Sequence, residues 1–159
     1  MDEVVAWFAE RLPEDWFTEP PALRVDREEI LVIGPLRVPM KDPVEHRRAI
    51  AEFREATRDD RMRIAEEAEV RWERKVSWVI HCGHGEVPFT TLSVPVMTRL
   101  RMEERAVLDT LIDAGVARSR SEALAWCVRL VGKHEDDWIS RLRDALASVE
   151  KARDAGPKG

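Results

Sequence analysis

An α+β fold is what this sequence predicts, and three changes of rhythm along it carry that prediction. Apolar residues first recur every four positions, at Val4, Phe8 and Leu12, the spacing of one helix face. They then alternate with polar residues at Leu23 and Val25, and again at Val76, Trp78 and Ile80, as on one strand face. After residue 101 the helical spacing returns. The expected architecture is an N-terminal α-β-β-α module with a second hairpin over residues 1–90. A strand, two helices and an extra C-terminal helix follow over residues 91–153, and residues 154–159 form a tail.

Each element has a local reason. "DEVVAWFAERL" opens as an amphipathic helix, and prolines at 13, 20 and 21 end it. "ALRVDREEILVIGP" reads as a hairpin whose turn is "DREE"; Gly34-Pro35 is expected to break its second strand. Asp42-Pro43 is a helix start, a capping residue followed by proline at the first helical position. One long helix is expected from there to about Lys75, with Ile50, Phe53, Ile64 and Ala68 on its apolar face and its many Arg and Glu residues in water. "KVSWVIHC" is a strand, "CGHGE" a turn, and Phe89 starts a new extended run through Val94 and Val96. Two further helices carry Val107, Leu108, Leu111 and Ile112, then Leu124, Cys127, Val128 and Val131. Between them Gly115 suits a left-handed cap. The last helix repeats Trp138, Leu142, Leu146 and Val149.

Composition narrows the function classes. The 159 residues are 44% hydrophobic and 36% charged, which fits a soluble chain with a real core. No stretch approaches the ~18 apolar residues of a membrane span. The start "MDEVVAWFAE" is acidic rather than basic, so a cytoplasmic location is expected and no membrane partner is. Two cysteines make no disulfide framework. The net charge of −5 is uneven: 12 basic and 11 acidic residues lie from Met97 onward, against 14 and 20 before it. The C-terminal part can therefore carry a basic face.

Residues 94–131 contain an ordered set of motifs. A short strand ends in Arg99-Leu100. A helix carries Leu108-Asp109-Thr110-Leu111. A turn with small residues leads into Arg118-Ser119-Arg120-Ser121-Glu122, which opens a second helix. This set resembles the ribbon-helix-helix (Arc/MetJ-like) superfamily of DNA-binding proteins, over about a quarter of the chain. The resemblance implies a homodimer in which two copies pair their strands into an antiparallel ribbon that enters the major groove of double-stranded DNA. Val94, Val96, Thr98 and Leu100 would face the helices; Pro95, Met97 and Arg99 would face outward. The implied DNA face comprises Met97, Arg99, Arg101, Arg118, Ser119, Arg120 and Ser121. Ser119 would cap the second helix, with Glu122 completing a capping box, and that helix N-terminus would grip a phosphate. The function so implied is transcriptional regulation. The alternative is a dimeric interaction or scaffold protein with the same fold and no DNA binding. Pro95 and Met97 favour it, because neither side chain can donate to a base.

Other candidate chemistry is thinner. His81, Cys82 and His84 are possible metal ligands, but a zinc site wants a second ligand pair, and His46, His134 and Cys127 do not supply that spacing. Cys82 lacks an evident orienting group for nucleophilic chemistry. The carboxylate pairs Asp59-Asp60, Glu66-Glu67 and Asp136-Asp137 read as solvated helix surface, and the 7 glycines form no phosphate loop. No enzyme, cofactor or metal is expected. Most of the six tryptophans are expected in the core, with Trp126 packing against the N-terminal module or the last helix.

Overall fold

The computed structural model describes residues 2–38, 42–82 and 85–155. The protein is mixed α+β and divides into two compact units, Met1–Val96 and Met97–Gly159.

The first unit runs α1 (Asp2–Arg11), β1 (Ala22–Val25), β2 (Glu29–Pro35), α2 (Pro43–Ala56), α3 (Arg58–Trp72), β3 (Lys75–Cys82) and β4 (Gly85–Pro88). Its sheet has the order β1-β2-β3-β4. The outer pairs are antiparallel hairpins, and the central β2–β3 pair is parallel. A parallel pair needs a long crossover, which α2 and α3 provide. The first hairpin turns on Asp26, whose carboxylate accepts the backbone N–H groups of Glu28 and Glu29, both at 2.8 Å. Register then sets one face: Leu23 lies opposite Val32, and Val32 opposite Trp78. With Ile30, Ile80 and Cys82 these residues form a core with Val4, Trp7 and Phe8 of α1, Ile50 of α2, and Ile64 and Ala68 of α3. The helices therefore cover one face of the sheet. Arg11–Glu67 and Arg71–Glu3 ion pairs tie α1 to α3 at its edge.

Three expectations for this unit are corrected. The long helix is two helices, and the break is at Thr57. Its φ of −97° and ψ of 2° are outside the helical basin, and its Oγ1 donates to the Phe53 carbonyl at 2.7 Å. Arg61 then bridges the break: Nε donates to Thr57 Oγ1 and Nη2 to the Arg54 carbonyl. A threonine that bonds back to the i−4 carbonyl bends a helix, and here a buried guanidinium holds the bend. The second correction is that β2 does not stop before Gly34-Pro35 but runs through them. Gly34 is needed for space: an added Cβ would sit 2.1 Å from Phe17 Cε1, so the ring lies directly on the strand. Of the expected turn "CGHGE", Cys82 ends β3 and Gly85 and Glu86 begin β4, so the second strand starts before Phe89, with Cys82 paired to Gly85 and His81 to Glu86; Gly83 and His84 lie outside the described residues.

The second unit comprises α4 (Met102–Asp113), α5 (Arg120–His134) and α6 (Asp136–Asp154). Gly115 takes φ 74°, as its position required. Its N–H bonds the Ile112 carbonyl, and that of Val116 bonds the Leu111 carbonyl, the paired arrangement of a Schellman cap. The fully buried core is Leu108, Ala117 and Ala123, flanked by half-buried Leu100, Leu111, Ile112, Leu124 and Cys127. Val107, Val128, Val131 and the whole Trp138–Leu142–Leu146–Val149 row are exposed. Trp7, Trp16 and Trp78 are buried in the first unit, whereas Trp126 is half-buried and Trp138 exposed. No helix among the described residues is long and apolar enough to cross a membrane.

Candidate nucleic-acid interface

From Thr90 to Arg101 the backbone forms no helix, strand, turn or bend. Among the described residues, no backbone–backbone hydrogen bond involves residues 91–100. The expected strand at 94–100 is therefore not a strand in the single chain. The reason is physical: a ladder needs a second strand, and none is supplied here. The inward row is also altered. Leu100 packs against the α4–α5 core, but Val94 and Val96 are exposed, Val96 at 85%. Met97 is 96% exposed, and Arg99 is exposed with no partner among the described residues.

The end of this segment is fixed by α4. Arg101 N–H donates to the Glu104 carboxylate at 2.6 Å, and Arg105 Nη1 donates to the Leu100 carbonyl at 2.7 Å. Thus Leu100 is held onto the helices from both sides while residues 94–99 are free. At the other candidate element, Ser119 caps α5: its Oγ accepts the Glu122 N–H at 3.2 Å. Glu122 returns a bond, but its Oε2 accepts the N–H of Arg118, one residue before the cap. The capping box is therefore displaced by one position. Arg120 and Ser121 occupy the first turn, where backbone N–H groups have no intrahelical acceptor.

The seven residues of the expected DNA face are all exposed, but their charges are not equally free. Arg120 is bidentate to Asp109, with Nε–Oδ1 at 2.7 Å and Nη2–Oδ2 at 2.8 Å. Those two hydrogen bonds hold the Asp109 carboxyl below the usual carboxylate range and raise the Arg120 guanidinium. Sequence reasoning assigned Arg120 to phosphate and did not find this pair. The two residues stand eleven apart, and only the α4–α5 packing brings them together. Arg99, Arg101 and Arg118 have no carboxylate partner among the described residues.

Cys82 is buried with Sγ 3.7 Å from His46 Nε2. Burial pushes its thiol upward, away from the thiolate that a nucleophile needs. No group of three or more His, Cys, Asp or Glu side chains placed for a metal occurs among the described residues, and His84 lies outside them.

The fold and this surface define a class: an α+β module followed by a helical unit, joined by an exposed segment with unspent backbone groups. The chain belongs to the Rv1265-like family. Residues 2–88 match the Rv1265-like protein N-terminal domain, and residues 101–153 match the Mb1296 C-terminal domain. The segment 89–100 lies between the two matches. Over 156 residues the chain is 53% identical to uncharacterized protein Mb1296 of Mycobacterium bovis and to uncharacterized proteins MT1303 and Rv1265 of Mycobacterium tuberculosis. Each match covers 95% of this chain and 69% of the relative. No solved structure matches it.

Proposed function

We propose that the protein is a cytoplasmic, homodimeric DNA-binding transcriptional regulator and not an enzyme, with residues 94–100 of two copies pairing into a ribbon-helix-helix β-ribbon. The observation that carries this reading is that residues 91–100 make no backbone–backbone hydrogen bond among the described residues, while Leu100 is anchored onto a two-helix core in which three described residues are buried. A second copy would supply both the missing ladder partner and the missing core surface. A two-stranded ribbon fits a major groove. Arg99 lies on its outer face, Met97 beside it, and Arg101 at its end. Ser119, Ser121 and Arg118 at the start of α5 would hold a backbone phosphate; Arg120 would join them only by leaving Asp109.

The test is binding to mixed genomic double-stranded DNA at rising salt. Affinity should fall by about 100-fold between roughly 50 and 200 mM salt, the slope of roughly four phosphate contacts. Arg99→Ala should weaken binding while sedimentation still shows a dimer. A monomer at micromolar concentration, or DNA affinity indifferent to Arg99→Ala, would overturn this site.

A second reading has its own support. Pro95 and Met97 offer no donors on the outward row, and the Arg120–Asp109 pair neutralises one cation. A dimeric interaction or scaffold protein fits those facts. It predicts a stable dimer with flat, weak DNA binding at every salt concentration.

A further inference from the structure

We infer that α6 is a second self-association surface, pairing antiparallel with α6 of another copy of this chain. The inference rests on α6 alone, so the ribbon can fail without it. Trp138, Leu142, Leu146 and Val149 recur at spacings of four, four and three along a 19-residue helix. All four are between 44% and 63% exposed. That is an apolar stripe of about 17 Å, exposed at each of its four positions.

The charge pattern names the occupant. Of the charges at the two ends of α6, Glu135 at its start and Arg153 in its last turn fall on the side of the stripe, whereas Asp136, Asp137 and Lys151 fall on the opposite side. An antiparallel pair about a two-fold axis near Asp144 sets Leu142 against Leu146 and brings Glu135 opposite Arg153. A parallel pair would set each acidic end against itself. Antiparallel helix dipoles also oppose favourably. The contact is thus self-complementary, as a two-fold interface between identical chains must be. At fewer than three heptads it is weak alone. It adds to any other contact between copies by raising the local concentration of one α6 near another.

Sedimentation equilibrium of the full chain over a range of concentrations tests this. Leu142→Asp with Leu146→Asp, both at exposed positions, should lower the association constant by about tenfold or more with helical content retained. Glu135→Lys should also weaken association. Adding Arg153→Glu to that variant should restore it. Unchanged association in the stripe variant overturns the inference, and so does failure of the doubly reversed chain to recover. Association unchanged together with a lower unfolding temperature also overturns it, by showing that the stripe is covered within one chain. Thr98→Pro separates the two surfaces: it removes a ribbon N–H and should abolish DNA binding while leaving the effect of the α6 changes intact.

Discussion

The two units solve the same problem of burial with very different means. Among the described residues, the first has a core cluster of fourteen buried residues, among them Trp7, Phe8, Trp16, Trp78 and Phe89, on three helices and a sheet. The second has three, of which two are alanines, and it leaves ten or so large apolar side chains in water. Small domains bury proportionally less than large ones, but size alone does not put whole rows of valine and leucine outside. The difference teaches that the first unit is finished by its own chain. The second has the secondary structure of a folded unit with the burial of half of one.

The sharpest way to break that comparison is to hollow both cores. Phe8→Ala should cost about 3–5 kcal/mol, as large-to-small changes at fully buried aromatic positions do, and that cost should not vary with protein concentration. Leu108→Ala lies in the second core, and its cost should rise as the protein is concentrated, because the proposed second copy would add to the burial there. Hydrogen exchange read by peptide mass resolves the two units separately. If protection of α4 and α5 proves independent of concentration, the second unit is complete alone and the contrast disappears.

The two informative glycines sharpen it at lower cost. Gly34→Ala places a methyl group against the Phe17 ring, in a contact too close for any Cβ, so the ring must move. Overpacking of this kind costs about 1–3 kcal/mol. Gly115→Ala meets no atom within 4 Å, and its cost is conformational only, about 1 kcal/mol for a left-handed alanine. Thermal unfolding should rank the two in that order. A Gly115→Ala penalty equal to or above that of Gly34→Ala would mean that the Phe17 ring yields to an added methyl group more easily than the left-handed turn yields to a Cβ.

Legibility in the sequence followed the same division. Helix and strand rhythm in the first unit was readable because Val4, Phe8, Ile30, Val32, Trp78 and Ile80 all face one core. Period and burial agree there. The cap at Gly115 and the N-cap at Ser119 were readable because each is decided within a few residues. The break at Thr57 was not, because it depends on Arg61 and Phe53 bonding one hydroxyl, and nothing in the flanking charge pattern signals that. The continuation of β2 through Gly34 was hidden for a related reason: the glycine serves Phe17, a residue from another segment. In the candidate site, all seven named residues are exposed. The pairing of Arg120 with Asp109 was not legible, since the two meet only through the α4–α5 packing.

Two carboxylates give the finest probe of the contrast. Asp26 in the first unit is held low chiefly by the backbone N–H groups of Glu29 and Glu28. Asp109 in the second is held low chiefly by the Arg120 side chain. Both folded values lie below the unfolded one near 3.8. Each therefore adds stability that is present above that pH and is lost as the pH falls through the folded value. Salt tells them apart. At about 1 M the screening length is roughly 3 Å, which weakens the attraction between two mobile, exposed side chains. It hardly touches hydrogen bonds built into a turn. Carboxyl titration by NMR should show the Asp109 midpoint rising toward its ordinary value in high salt while Asp26 stays low. Arg120→Ala should give the same rise without salt, and it would also free Asp109 to repel a phosphate at the start of α5. An Asp109 midpoint that stays as low as that of Asp26 in high salt would show that Arg120 is held as rigidly as a backbone turn. The α4–α5 face would then be a preformed structural contact rather than one that a nucleic acid could open.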